Sequence, residues 1–158
     1  MILAVTGHRP QTLGSYHADV QARLVRLACA EIKAIAPDVV LTGMALGWDI
    51  AVAQACVSLR VPFKAVVPFV GQESVWPRDS QALYRTMLSQ AVEKIVVCDG
   101  GYAAWKMKKR NIYLVNNCDM LLALWNGLAS GGTFQCVEYA DEKGVEIRNC
   151  WESWEEEQ

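Results

Sequence analysis

Residues 2–10 of the chain read ILAVTGHRP, a short apolar run that passes directly into a glycine, a histidine and an arginine. The unbroken apolar run is typical of a strand that is buried on both faces of a parallel sheet. Gly7, His8 and Arg9 would then follow the carboxyl end of that strand, where open α/β sheets bind their ligands. We therefore predict a binding edge here rather than a simple turn.

The alternation of strand and helix continues along the rest of the chain. Further strands are predicted over residues 38–42, 61–67, 94–98, 120–125 and, more briefly, 145–148, and helices over residues 17–35, 49–59, 78–91, 103–117 and 133–143. This pattern predicts an α/β fold, a Rossmann-like three-layer sandwich with a mostly parallel sheet of five to six strands and helices on both faces. Residues 1–150 are expected to form a single domain.

The last residues, 151–158, read WESWEEEQ and are acidic. Acidic chain ends are commonly solvated, so we expect a solvated or loosely docked tail, with a partner-binding segment as the alternative.

The composition argues against several classes of protein. The 158 residues are 53% hydrophobic and carry a net charge of −2, which suits a folded domain and gives no general basic field for nucleic acid. The six cysteines form no CxxC pair and there are only two histidines, so we expect no metal site. No secretory signal and no long apolar run is visible, so we expect a cytoplasmic protein without a membrane partner.

Two glycine-rich turns are predicted at the same edge of the sheet. Residues 43–47 read GMALG and precede one helix, while residues 131–133 read GGT and open another. Glycine lets a ligand approach backbone N–H groups, and a helix N-terminus favours an anion. With Arg9 at the same edge, these turns predict phosphate binding, although glycines also serve tight turns that bind nothing. Neither GxGxxG nor GxxxxGK[ST] occurs, so the standard dinucleotide and P-loop motifs are absent.

Further polar and aromatic side chains complete the predicted site. Asp49 begins a helix, where it either complements the helix dipole or accepts a hydrogen bond from a ribose hydroxyl. An aromatic side chain of the loop over residues 69–76 is expected to cover a base, with core packing as the alternative. The predicted ligand-binding residues are Thr6, Gly7, His8, Arg9, Gly43, Met44, Ala45, Gly47, Trp48, Asp49, Pro68, Phe69, Gln72, Trp76, Tyr84, Gly131, Gly132 and Thr133.

One basic cluster stands out in the sequence. It consists of Lys106, Lys108, Lys109 and Arg110 on a predicted helix. A solvated helix face and a contact to a polyanion or a phosphate both remain open for it.

Several stretches, taken in order, resemble the YpsA-like branch of the SLOG superfamily. They are TGHRP, GMALGWDIAVAQA, PFVGQESVWP with LYRTML, RNIYLVNNCDMLLALWNG and GGTFQCVEYA, which together cover roughly residues 2–140. The superfamily groups the Smf/DprA DNA-processing proteins with the LOG cytokinin-activating enzymes. The resemblance implies a Rossmann-like sheet that binds a nucleotide or a nucleotide-derived ligand at its glycine-rich edge.

The chain departs from the LOG enzymes at the catalytic position of their signature. Their signature is similar to GGxGTxxE, in which the glutamate is catalytic, whereas here the position three after Thr133 is Cys136. The nearest acid is Glu138, which a helix rotates by about 200° from that position. The comparison therefore implies a protein that binds its ligand without catalysis, as a sensor or by sequestering it. The ligand would be a nucleotide, an ADP-ribose-like molecule or a cyclic nucleotide.

Two alternatives remain open at this point. The first is a LOG-like phosphoribohydrolase that acts on nucleoside monophosphates, with Asp49 or Glu73 as its acid. The second is DprA-like binding of single-stranded nucleic acid. We expect no cofactor, and the sequence leaves the formation of a homo-oligomer open.

Overall fold

A computed structural model describes residues 1–156 of the chain, in which six strands alternate with helices. The strands are β1 (Ile2–Gly7), β2 (Val39–Thr42), β3 (Phe63–Val67), β4 (Glu93–Val96), β5 (Met120–Leu124) and β6 (Glu146–Asn149). The helices are α1 (Pro10–Leu13), α2 (Ala18–Ile35), α3 (Trp48–Leu59), α4 (Arg78–Gln90), α5 (Ala104–Asn116), α6 (Gly131–Glu142) and α7 (Trp151–Glu156). The short α1, which Pro10 opens, was not predicted.

The six strands form one sheet in the order β4-β3-β2-β1-β5-β6, and every pairing is parallel. The chain builds outward from β1 to β4 and then returns through α5 to place β5 on the other side of β1. The strand order therefore reverses between β1 and β5, and a crevice forms there beyond the carboxyl ends of the strands. This architecture confirms the predicted Rossmann-like α/β fold.

Side chains alternate along the buried strands and fill two cores, one on each face of the sheet. Leu3 and Val5 of β1 point to the larger core, which contains the indole rings of Trp48 and Trp154. Ala4 points to the smaller core, which α5 and α6 cover. Because helices cover both faces, the central strands are mainly apolar, which is why the sequence shows continuous apolar runs there.

The prediction of a solvated or loosely docked tail is wrong for Trp151–Glu156. These residues form α7, in which Trp154 is fully buried and the Arg23 guanidinium lies 4.2 Å from its ring centroid. Trp151 packs edge-on against His8, with ring centroids 5.6 Å apart. The two tryptophans are three residues apart and so share one face of the helix, while the acids point outward. Residues 157–158 of the predicted tail lie outside the described residues.

Among residues 1–156, no helix is both long enough and apolar enough to cross a bilayer. Within the same range, no group of three or more His, Cys, Asp or Glu side chains could hold a metal ion.

Candidate functional site

A cavity of about 660 Å³ lies beyond the carboxyl ends of β1 and β5, where the strand order reverses. We call it the switch-point cavity. Half of the predicted ligand-binding residues line it. These are Thr6, Gly7, His8, Arg9, Ala45, Asp49, Gly131, Gly132 and Thr133.

The other predicted residues pack inside the protein and do not line the switch-point cavity. These are Gly43, Met44, Gly47, Trp48, Pro68, Phe69, Gln72, Trp76 and Tyr84. The aromatic side chains predicted to cover a base are 9% exposed or less, and Trp76 packs edge-on against Tyr84. Their rings are therefore used in packing.

The space beside Gly43, in the turn after β2 (residues 43–47), is filled by side chains of the protein. The carbonyl of Gly43 accepts hydrogen bonds from Arg110 Nη1 at 2.6 Å and from Gln72 Nε2 at 3.1 Å. A Cβ atom at Gly43 would lie 2.5 Å from Arg110 Nη1. A phosphate has no room beside Gly43, and the predicted role of this glycine as part of a phosphate cradle is not supported.

Gly47 packs against the end of β1 for a similar reason. Its φ is +89°, and a Cβ atom there would lie 2.7 Å from the carbonyl oxygen of His8. The next amide, that of Trp48, donates to the same oxygen at 3.4 Å. Gly7 in turn makes room for the Trp48 ring, whose Cδ1 would be 2.3 Å from a Cβ atom at Gly7. Gly7 and Gly47 therefore allow β1 and α3 to approach each other closely.

The start of α6 differs, because its glycines face open space. Gly131 has a φ of +91°, and a Cβ atom at Gly131 or Gly132 would meet nothing within 4 Å. The N-cap residue, Ser130, makes no side-chain hydrogen bond to the helix. The first N–H groups of α6 are thus left without a side-chain cap beside the cavity, where the helix dipole favours an anion.

Asp49 places a buried carboxyl group in the cavity wall. The residue is 5% exposed, and its Oδ2 accepts a hydrogen bond from the Ala45 amide at 3.3 Å. Its Oδ1 is buried and has no partner among the described residues. Burial raises the pKa of the Asp49 carboxyl to about 6, against the opposing attraction of the Arg110 guanidinium. A buried carboxylate oxygen without a donor is unfavourable and is satisfied if a ligand donates to it.

Arg110, one of the four cations of the basic cluster, lies beside the same cavity. It is 6% exposed, and its Nε donates to Asn111 Oδ1 at 3.1 Å. Burial lowers the pKa of the guanidinium, while the neighbouring Asp49 carboxyl opposes that shift. The signal in the sequence is helical spacing, since Arg110 stands four residues before the buried Leu114 and shares its face.

The basic cluster on α5 is therefore divided. Lys106 is 7% exposed, and its ammonium group donates to the carbonyl of Gly101 at 2.6 Å and to that of Asp99. Lys108 and Lys109 are exposed. Only these two lysines of the cluster fit a solvated helix face.

His8 connects the end of β1 to the loop after β5. Its Nε2 accepts a hydrogen bond from the backbone N–H of Asn126 at 2.9 Å, which requires this nitrogen to be unprotonated. Burial lowers the pKa of the imidazole, so the neutral ring persists to lower pH than in water. This hydrogen bond therefore joins the end of β1 to the loop after β5, and both segments line the cavity.

Glu73, a predicted catalytic acid, and Cys136, at the position of the catalytic glutamate in the resemblance, do not line the cavity. Glu73 is 9% exposed and is 3.8 Å from the Arg85 guanidinium. Cys136, which stands at the position of the LOG glutamate, is fully buried, and burial raises the pKa of its thiol to about 12. Of the two acids predicted for an enzyme, only Asp49 reaches the cavity.

Comparison with known sequences supports the predicted relationship. The sequence model of the YspA SLOG family matches residues 3–146, and the predicted membership of the SLOG superfamily is confirmed. Curated relatives include UPF0398 proteins from Bacillus thuringiensis (strain Al Hakam) and Bacillus cereus (strain AH187). Each is 28% identical over 160 residues, a match that covers 94% of this chain and 86% of the relative.

Solved structures share the fold at low sequence identity. DNA processing protein A (DprA) from Streptococcus pneumoniae matches with a TM-score of 0.61 and 18% identity, over 92% of this chain and 48% of that protein. DprA from Helicobacter pylori matches with a TM-score of 0.66 and 17% identity, over 93% of this chain and 63% of that protein. A protein designated TM1055 matches with a TM-score of 0.59 and 14% identity, over 92% and 71%. The chain thus spans about half of the Streptococcus protein and less than two thirds of the Helicobacter protein.

Proposed function

We propose that this chain, which belongs to the YspA SLOG family, binds a nucleotide or a nucleotide-derived ligand in the switch-point cavity. The observation that carries the proposal is the pairing of two unsatisfied features in one cavity. One is the uncapped start of α6, which favours an anion, and the other is the buried Asp49 Oδ1, which needs a donor. A sugar phosphate unit presents both an anion and hydroxyl donors.

The phosphate is assigned to the start of α6. Gly131 and Gly132 leave the backbone N–H groups accessible, and Thr133 adds a hydroxyl. Arg9 is an exposed side chain in the same cavity, and among the described residues no carboxylate lies within ion-pairing distance of it. Its planar guanidinium is suited to bidentate contact with phosphate.

The sugar is assigned to the Asp49 side. A ribose hydroxyl that donates to Oδ1 would replace the hydrogen bond that this buried oxygen lacks. Arg110 lies beside Asp49 and balances its charge, so the carboxylate form remains accessible near neutral pH. Among the structural neighbours, the Helicobacter pylori protein binds single-stranded DNA, which is also built of sugar and phosphate.

The test is calorimetric titration of the protein with AMP, NAD, ADP-ribose and a cyclic dinucleotide. Arg9→Ala should weaken binding of the tightest of these about 10- to 100-fold, the range expected for a charge-assisted hydrogen bond. Arg26→Ala is the matched control, because Arg26 is an exposed arginine on α2 outside the cavity lining. Equal affinity in the two variants, or no binding of any of the four compounds, would contradict the proposal.

A second candidate function, hydrolysis of an N-glycosidic bond, is favoured by the state of Asp49. A carboxyl group with a pKa of about 6 can exchange a proton near neutral pH. Water would add across the bond between ribose and base, which gives ribose phosphate and the free base. Chromatography of AMP incubated with the protein would detect adenine if this occurs, and Asp49→Asn should abolish its release. Intact AMP at high enzyme concentration would exclude this reaction.

Binding of single-stranded nucleic acid is tested separately. Trp105 is 56% exposed, and the ammonium of Lys109 lies 5.4 Å from its ring centroid, which is a combination that suits a stacked base and a phosphate. Electrophoretic retardation of an oligodeoxyadenylate that is lost in Trp105→Ala would support this function. Absence of retardation at low salt would exclude it.

A further inference from the structure

We propose that the base of the ligand lies against Tyr102 and Leu128 at the mouth of the switch-point cavity. The inference rests on the proposed function and specifies it, because it requires a planar base in addition to a sugar phosphate. It also replaces the predicted role of the loop over residues 69–76, whose aromatic rings are buried.

Tyr102 and Leu128 are unusual in combining high exposure with a place in the cavity wall. Tyr102 is 75% exposed and Leu128 is 63% exposed, and both line the switch-point cavity. They belong to separate loops, one that precedes α5 and one that follows β5. The cavity therefore has an aromatic ring and an aliphatic side chain at its edge, beside the polar groups deeper inside.

The ring of Tyr102 packs against the protein on one side and is open to water on the other. Phe69 packs edge-on against it, with ring centroids 6.2 Å apart and an interplanar angle of 83°. The buried Lys106 stabilises the loop that precedes α5, because its ammonium group donates hydrogen bonds to the carbonyls of Asp99 and Gly101. An aromatic ring positioned in this way loses little conformational freedom when a base stacks on it.

Leu128 is fixed in a similar way from the other loop. Its amide donates to Asn126 Oδ1 at 3.1 Å, and its carbonyl accepts from Trp125 Nε1 at 3.0 Å. The backbone N–H of Asn126 in turn donates a hydrogen bond to His8 Nε2. The backbone of the loop thus holds an apolar side chain in water at the cavity edge, and a bound base would cover it.

The chemistry favours a heterocyclic base over other ligand parts. Each base has a π-face, so stacking on tyrosine stabilises binding without selecting one base. Ribose 5-phosphate provides the phosphate and the hydroxyl groups but has no such face. The proposal therefore separates nucleotides from sugar phosphates as ligand classes.

The experiment measures the affinities of AMP, ADP-ribose and ribose 5-phosphate for the wild-type protein and its variants. Tyr102→Ala should weaken AMP and ADP-ribose about 10-fold or more, the effect expected when one stacked base is lost. Tyr102→Phe keeps the ring and should bind within twofold of the wild type, while Leu128→Ala should weaken both nucleotides less than Tyr102→Ala. Ribose 5-phosphate, measured by displacement of AMP, should be unaffected by all three. Val75→Ala is the control, because Val75 is 90% exposed and lies outside the cavity lining.

The outcomes separate this inference from the proposed function. If the wild type binds the nucleotides and Tyr102→Ala binds them equally well, the base does not lie on Tyr102 and only this inference fails. If Tyr102→Ala weakens ribose 5-phosphate as much as AMP, the substitution disturbs the phosphate end and the inference fails as well. If the wild type binds none of these three compounds and neither NAD nor a cyclic dinucleotide, the proposed function and the inference fail together.

Discussion

Two glycine-rich turns lie at the same edge of the sheet and differ in what approaches them. The turn after β2, residues 43–47, is filled by the protein's own chain, with Arg110 against Gly43 and the His8 carbonyl against Gly47. At the start of α6, apart from the adjacent residues and the backbone of the helix itself, no atom of the described residues lies within 4 Å of where a Cβ at Gly131 or Gly132 would be. The first pair of glycines permits chain-to-chain packing, and the second pair leaves backbone N–H groups open to the cavity.

The comparison shows why glycine alone is a weak indicator of a ligand. Gly47 and Gly131 have nearly the same φ, +89° and +91°, and each stands at the start of a helix. They differ in whether a distant residue lies against the glycine. The His8 carbonyl lies against Gly47, whereas no distant residue lies against Gly131. That information comes from the tertiary fold rather than from the local sequence.

The largest expected effect is on stability, and it compares these two glycines directly. Both Gly47→Ala and Gly131→Ala force alanine to a positive φ, which costs about 1–2 kcal/mol. Only Gly47→Ala also places a methyl group 2.7 Å from a backbone oxygen. Its free energy of unfolding should therefore fall by at least about 2 kcal/mol more than that of Gly131→Ala, as measured by urea unfolding. Equal losses in the two variants would mean that the turn after β2 is not packed as described.

A second prediction concerns binding at the open turn. Gly132→Ala adds a methyl group in front of the α6 amides without a clash, since nothing lies within 4 Å of it. The free energy of unfolding should rise by up to about 1 kcal/mol, because alanine at an unstrained helix position reduces the entropy of the unfolded chain. Affinity for AMP should nevertheless fall about 10-fold, because the phosphate can no longer approach the amides. Calorimetry and urea unfolding of the same preparation measure both quantities. Unchanged affinity would show that phosphate does not lie at this turn.

A third prediction follows from the raised pKa of Asp49. The carboxyl has a pKa of about 6, so it is mostly protonated at pH 5 and ionised at pH 7. Affinity for ADP-ribose, whose phosphate groups do not titrate in this range, should rise up to about tenfold from pH 5 to pH 7 as the acceptor becomes charged. Asp49→Asn should remove this dependence, while Asp141→Asn, an exposed control, should keep it. An identical pH profile in all three proteins would remove Asp49 from the site.

The smallest expected effect is the contribution of His8 to stability at acidic pH. Its pKa is lowered in the folded state, so the unfolded chain takes up a proton first as the pH falls below about 6.5. Protonation of His8 in the unfolded chain should then lower the free energy of unfolding between about pH 6.5 and 5, by less than about 1 kcal/mol because the residue is partly exposed. The Asp49 carboxyl, whose pKa is raised to about 6, acts in the opposite direction over the same range, so the quantity to measure is the difference between the pH profiles of the wild type and His8→Gln. His8→Gln keeps an acceptor for the backbone N–H of Asn126 and should gain stability relative to the wild type as the pH falls. Parallel profiles in the two proteins would assign the pH dependence to other groups.

Patterns within short stretches of the sequence predicted structure well, whereas contacts between residues far apart in the chain were not predicted. Apolar strands that end in glycines and polar residues predicted the parallel sheet and the cavity edge at residues 6–9 and 131–133. The sequence did not separate Arg110 from the three lysines of the basic cluster, because Arg110 reaches the cavity from α5, 67 positions along the chain from Gly43. Tyr102 was missed because it precedes α5 without any motif.

The tail was misread for a related reason. The acids of residues 151–158 dominate its composition, whereas the spacing of Trp151 and Trp154 determines its structure. Burial of the Trp154 ring contributes about 1.5–3 kcal/mol to the docking of this short helix on the core. Composition therefore gave the wrong answer where periodicity over a few residues would have given the right one.

The most direct test of the proposed phosphate position is a titration of the ¹⁵N-labelled protein with AMP, followed by NMR of the backbone amides. We expect the largest chemical-shift changes at Gly131, Gly132 and Thr133, with small changes at Gly43 and Gly47. A shift of these changes to at least about 10-fold higher AMP concentration in Arg9→Ala, but not in Arg26→Ala, would assign them to the bound phosphate. Changes confined to residues 43–47, or no changes at any amide of the cavity, would contradict the assignment of phosphate to the start of α6.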